Sequence, residues 1–159
     1  ATSSAGVNTP VNASTSTAAV TLNGNTGNDT LTGGNGNDWL QGASGGAGTT
    51  AHIDRDVLLG GGGTDYYVLG TGNTSFYMSS GYATLRQFDI RYDWVVLADG
   101  INYRSSRIQL QTVNISGGSA ADTLISLDGN LIGVIEDRNF TTVDRGQLFL
   151  NSNQVTQGW

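Results

Sequence analysis

The chain has 159 residues, of which 24 are glycine and only 13% are charged, and its net charge is −6. With seven cations, all arginine, against thirteen acidic residues it is too acidic to offer the basic patch that phosphate contacts need, which argues against a nucleic-acid partner. Without cysteine it can form neither disulfides nor thiolate metal sites, and no apolar run approaches the roughly eighteen residues of a membrane helix.

Residues 1–18 are mostly Ser, Thr, Ala and Asn, the composition of an extended arm. The sequence begins at Ala1 with no visible secretory signal, which implies a processed product or an excised fragment. Val20 and Leu22 alternate with Thr and Asn, so residues 19–23 are expected to form a first strand. Val7 and Val11 are expected in a further strand paired to a neighbouring subunit, the alternative being an arm that lies across its own domain.

From Gly24 the sequence divides into six gap-free blocks of nine: GNTGNDTLT, GGNGNDWLQ, GASGGAGTT, AHIDRDVLL, GGGGTDYYV and LGTGNTSFY. Position six carries Asp29, Asp38, Ala47, Asp56, Asp65 and Thr74, and position eight carries Leu31, Leu40, Thr49, Leu58, Tyr67 and Phe76. Glycines permit the sharp turn that the first six residues need and point backbone carbonyls inward. The position-six aspartate adds a hard carboxylate oxygen, and calcium takes roughly six to eight such ligands. The last three residues form a short strand whose position-eight side chain is buried only if successive coils stack.

This G-G-x-G-x-D-x-U-x pattern resembles the RTX, or haemolysin-type, calcium-binding repeat, with GGNGNDWLQ and GGGGTDYYV the best-matched blocks. The resemblance implies a parallel β-roll with two nonapeptides per turn, so that loops eighteen residues apart stack on one side. On that count Asp38, Asp56 and Thr74 share one side, and Asp29, Ala47 and Asp65 the other. One good calcium site is then expected at Asp38 and Asp56, completed by carbonyls near Gly34, Gly36 and Asp54. Asp29 and Asp65, each facing Ala47, are weaker candidates, and Gly61 and Gly63 complete the expected ligand set.

Beyond a transition at 73–81, residues 82–90, 94–97, 107–115, 123–127, 131–135 and 147–150 read as antiparallel strands, with Asp128-Gly129-Asn130 a hairpin turn. The run L-x-x-F-x-x-x-x-D-x-V-x-L at 85–97, followed by DTLISL and LIGVIE, resembles the cap that follows such repeats in secreted bacterial proteins. The expected organisation is therefore an arm (1–18), a calcium-binding parallel β-roll (19–81) and an antiparallel β cap (82–159), all-β throughout.

Catalytic readings fare poorly. Gly42-Ala43-Ser44-Gly45-Gly46 matches G-x-S-x-G, with His52 nearby, but no strand–turn–helix context surrounds it. Asp54 and Asp56 form a carboxylate pair, yet the register gives Asp56 to the cation. Asp89, Asp93, Arg86 and Arg91 read as a solvated or cap-stabilising cluster. Trp39, Trp94, Trp159, Tyr66, Tyr67, Tyr77 and Tyr82 are candidates for a carbohydrate-stacking platform. The expectation is a non-enzymatic extracellular calcium-binding protein that joins head-to-tail into filaments through its arm. The alternative is the terminal secretion and folding cap of a larger RTX hydrolase, toxin or adhesin.

Overall fold

The computed structural model describes residues 8, 10–44, 53–115 and 117–155. Among the described residues fourteen strands form two large sheets of seven and five strands and one two-stranded hairpin. One sheet holds β2 (Thr21–Asn23), β4 (Trp39–Gln41), β6 (Tyr66–Val68), β10 (Trp94–Leu97) and β14 (Phe149–Asn151), paired in that order and all parallel. The other holds β1 (Pro10–Asn12), β3 (Thr30–Thr32), β5 (Arg55–Leu59), β9 (Tyr82–Arg86) and β13 (Asn130–Ile135) in parallel. It is then extended by antiparallel β12 (Asp122–Leu127) and β11 (Ile108–Val113). The fold is thus a parallel β-roll with an antiparallel β cap.

The position-eight residues form two inward rows in lateral register. Leu22, Leu40, Tyr67, Val95 and Phe149 face Val11, Leu31, Leu58, Leu85 and Ile135. All but Val11 are essentially inaccessible to solvent. Short strands of three to six residues cannot bury such side chains singly, and stacking removes them from water together.

The expected coil of eighteen residues holds only between Leu22 and Leu40. Leu40 is followed in its row by Tyr67, and Leu31 by Leu58, each 27 residues on. The extra nine lie between β4 and β5, where the third block falls. That block offers Ala47 and Thr49, which would place no carboxylate in the turn and a hydroxyl among leucines; both lie outside the described residues. The sixth block, with Thr74 at position six, also leaves the stack. It forms a hairpin of β7 (Gly70–Thr71) and β8 (Thr74–Ser75) that returns Phe76 and Tyr77 to the core. The blocks that keep their aspartate stack, and the sixth, without one, does not.

Two further expectations are corrected. Residues 82–97 do not begin an antiparallel region: β9 and β10 add in parallel to β5 and β6. The chain crosses between sheets there, whereas antiparallel pairing is reserved for strands joined by tight turns, such as that at Asp128 (φ 50°) and Gly129 (φ 83°). The second correction concerns the arm. Strand β1 pairs with β3 of its own chain, not with a neighbour, and the Asn28 amide donates to Asn8 Oδ1 at 2.8 Å. Val7 lies outside the described residues.

Leu31→Ala, in the inward row, is expected to lower unfolding stability by about 2–5 kcal/mol, whereas Val113→Ala, on an exposed position of β11, should stay within about 0.5 kcal/mol. Denaturant titration in calcium buffer measures both.

Candidate metal centre

The turns between the two sheets stack along the two flanks of the roll. On one flank, residues 15–20, 33–38, 60–65 and 88–93 lie in succession. A β-carbon on Gly34 would sit 2.2 Å from the Ser16 carbonyl oxygen, and one on Gly61 the same distance from that of Gly34. Gly36 and Gly63 repeat the arrangement against Ala18 (2.4 Å) and Gly36 (2.3 Å). Only hydrogen fits at these positions, and Gly61 and Gly63 also adopt φ of +105° and +100°. The carbonyls of Gly34 and Gly36 are thereby held at the seam between turns.

Position six builds a ladder along this seam. Asp38 Oδ1 accepts from Val20 N (3.0 Å), Asp65 Oδ1 from Asp38 N (3.0 Å) and Asp93 Oδ1 from Asp65 N (3.0 Å). The second oxygens turn back into their own loops: Asp38 Oδ2 accepts from Gly34 N at 2.6 Å, and Asp93 Oδ2 from Asp89 N at 2.8 Å. Asp65 Oδ2 is buried with no hydrogen-bond partner. Desolvation, with the neighbouring Asp93 and Asp38 charges adding to it, raises the Asp65 carboxyl to about 8. Burial likewise lifts Asp93 to about 6.

The opposite flank stacks residues 24–29 on residues 42–44 and 54–56. Asp29 N donates to Asp56 Oδ1 at 2.8 Å, and Gly27 N to Asp54 Oδ2 at 3.0 Å. Tyr77 Oη donates to Asp56 Oδ2 at 2.6 Å. Burial raises both carboxyls, Asp56 to about 6. The expected Asp38–Asp56 pair is therefore not formed. The nine additional residues move Asp56 to the flank of Asp29 and pair Asp38 with Asp65. Ala47, which was to face Asp29 and Asp65, lies outside the described residues.

Asp93 and Tyr77 escaped the sequence reading. Asp93 is 2% exposed rather than solvated. It stands 28 residues from Asp65, one more than a whole number of nonapeptides, so gap-free counting passes over it. Asp93-Trp94-Val95 does echo Asp38-Trp39-Leu40, and that signal would have found it. The ion pairs of the expected cluster are exposed: Arg91 holds the Asp89 carboxyl down at about 2, and Arg86 pairs with Glu136. Ser44 lies against the Asn25 carbonyl, while His52 falls outside the described residues. Of the aromatic set, Tyr67 and Tyr77 are core, Tyr82 lies under Arg55, and Trp159 is outside the described residues. Trp39, Tyr66 and Trp94 align across β4, β6 and β10.

Among the described residues no three acidic or imidazole side chains converge on one point. A cation here would rely on backbone carbonyls, and the Asp38–Asp65 seam fits one: glycine-cradled carbonyls of Gly34 and Gly36, two buried carboxylates, and the unpartnered Asp65 Oδ2. Calcium supplies the positive charge that such a desolvated, acceptor-only site lacks.

A two-sheet parallel roll with glycine turns and a position-six aspartate ladder defines the class of calcium-binding β-rolls. Residues 21–47 and 53–75 match the RTX calcium-binding nonapeptide repeat in four copies, and these repeats bind calcium. The solution structure of the AlgE6R3 subunit from the Azotobacter vinelandii mannuronan C5-epimerase shares the fold, with TM-score 0.57 and 16% identity over 97% of this chain and 84% of that one. No curated protein sequence matches the chain.

Gly61→Ala is expected to cost about 2–5 kcal/mol, from left-handed strain plus overpacking. Gly129→Ala, also at positive φ but with open space around it, should cost only about 1–2 kcal/mol. Chemical denaturation with calcium present compares them.

The metal-free protein has a distinctive pH response between about 5 and 8. Asp56, Asp65 and Asp93 titrate higher in the fold than the ordinary value near 4, so the folded chain binds protons more tightly than the unfolded one. Stability is then lost as pH rises through these values. In chelator, the fraction of chain that remains folded should therefore increase as pH falls from 8 to 5. In calcium, which favours the ionised carboxylates, that slope should flatten or reverse.

Proposed function

We propose that this chain is an extracellular structural roll folded by calcium, with no catalytic centre of its own, which joins end to end into filaments. The observation carrying the first part is the buried Asp65 carboxylate, one oxygen of which has no protein partner. Without a cation, that burial opposes folding; with one, binding free energy becomes folding free energy. Sites of this kind in extracellular modules are tuned to the calcium levels found outside cells. Among the described residues no helix is long and apolar enough to cross a membrane.

Assembly finds support in the sheet edges. β1 and β2 are the outermost strands at one end, and β11 and β14 at the other. Their outward backbone groups can add a further strand, and a head-to-tail contact that does not close gives a filament. Residues 10–12 already lie on their own roll, so the joint would be edge to edge rather than by donation of that segment. A glycan partner draws support from the row Trp39, Tyr66 and Trp94, although Trp39 is only 6% exposed.

A second reading is favoured by one observation: AlgE6R3 is a subunit of an epimerase and matches 97% of this chain. On that reading the roll is an accessory module of a larger secreted protein.

Excess chelator is expected to abolish most of the β signal in far-UV circular dichroism, and millimolar calcium to restore it. An unchanged spectrum after exhaustive chelation would contradict the calcium-folded reading. Light scattering of concentrated protein in calcium then separates polymers, expected of a filament subunit, from the monomer expected of an accessory module.

A further inference from the structure

The two flanks of the roll share one contact. In each, a position-six aspartate accepts through Oδ1 from the backbone amide of the aspartate stacked beside it: Asp29 N to Asp56 at 2.8 Å, and Asp38 N to Asp65 at 3.0 Å. They part at Oδ2. On Asp65 this oxygen is buried with no partner, whereas on Asp56 it accepts from Tyr77 Oη at 2.6 Å. We propose that the Tyr77 hydroxyl stands where calcium would otherwise bind Asp56, so that the metal is taken at Asp65 and not at Asp56. The inference rests on the calcium-folded reading above and adds which of the two carboxylates depends on the ion.

Steric exclusion supports it. A calcium ion sits roughly 2.3–2.6 Å from a carboxylate oxygen, the range in which Tyr77 Oη already lies. Hydroxyl and cation therefore compete for the same side of Asp56 Oδ2. Tyr77 is wholly buried and adopts φ 59°, a left-handed backbone conformation that disfavours a side chain. It follows directly on the β7–β8 hairpin, the excursion made by the sixth block, which thus delivers a hydroxyl to the flank. Burial beside Asp56 holds the phenol well above its ordinary titration range, so it remains a donor.

Tyr67 shows that a nearby phenol does not suffice. Its hydroxyl accepts from Gly60 N at 2.9 Å and donates its single proton to the Arg86 carbonyl at 2.7 Å. Nothing is left for Asp65, although a β-carbon on Gly60 would meet both Tyr67 Oη (2.5 Å) and Asp65 Oδ2 (2.3 Å).

The test is calcium stoichiometry of the full chain, by equilibrium dialysis with metal analysis, for wild type, Asp65→Asn, Asp56→Asn and Tyr77→Phe. Asp65→Asn should lose one calcium per chain and Asp56→Asn none. Tyr77→Phe, which frees Asp56 Oδ2, should gain one and show a larger calcium-induced rise in Tm than wild type. Loss of one calcium in Asp56→Asn would overturn the inference, because Asp56 would then hold metal despite Tyr77. That comparison stands even if Tyr77→Phe fails to fold. A wild-type chain that binds no calcium would instead overturn the calcium-folded reading itself, an outcome distinct from equal loss on both flanks.

Discussion

The stacking of this roll depends on aspartates buried at the turn between sheets, each accepting a hydrogen bond from the backbone amide of the turn beside it. Such a carboxylate does two jobs. It satisfies an amide that no strand pairing reaches, and it concentrates negative charge where water is excluded. The first effect holds the turns together; the second opposes burial unless a proton, a hydroxyl or a cation compensates it. Asp38 and Asp93 are compensated by backbone amides of their own loops, Asp56 by Tyr77, and Asp65 by no protein group. Under the proposed function, calcium dependence is a property of particular turns rather than of the repeat as a whole.

The core was legible because its period is local. Leu31, Leu40, Leu58 and Tyr67 recur at multiples of nine, and every one of them is buried. Which turn stacks on which was not legible, because pairing is a choice between coils of two or three repeats. Both choices keep the leucines inward. What decides between them is whether each block can contribute a carboxylate and an apolar residue, and the third and sixth blocks cannot do so in full. Leaving them out lengthens a loop, at an entropic cost of only about 0.6 kcal/mol per doubling.

The C-terminal half followed a different logic. Its strands are rich in Val, Ile and Leu with turn residues between them, a composition that antiparallel and parallel strands share. The Asp128–Gly129 turn forced one hairpin and was readable as such. The parallel addition of β9 and β10 was not, since nothing local distinguishes a strand that doubles back from one that crosses to the facing sheet. The glycine signature stops well before the parallel stack does: Phe88, at the start of turn 88–93, fills its space with a ring that contacts Tyr67.

The 27-residue coils carry a consequence for how such a chain can vary in length. Adding nine residues preserves both inward rows, because the added block is a whole period of the core. A block that joins the stack exchanges the flanks beyond it, since two blocks make one circuit; a block carried between two directly paired strands leaves every aspartate with the same neighbour. Insertion of a single stacked repeat is therefore silent to the hydrophobic interior and audible at the rim, where it hands the aspartates beside it new neighbours. A lineage of such rolls could redistribute its ion sites by duplicating or losing one unit, without altering a single residue of the core.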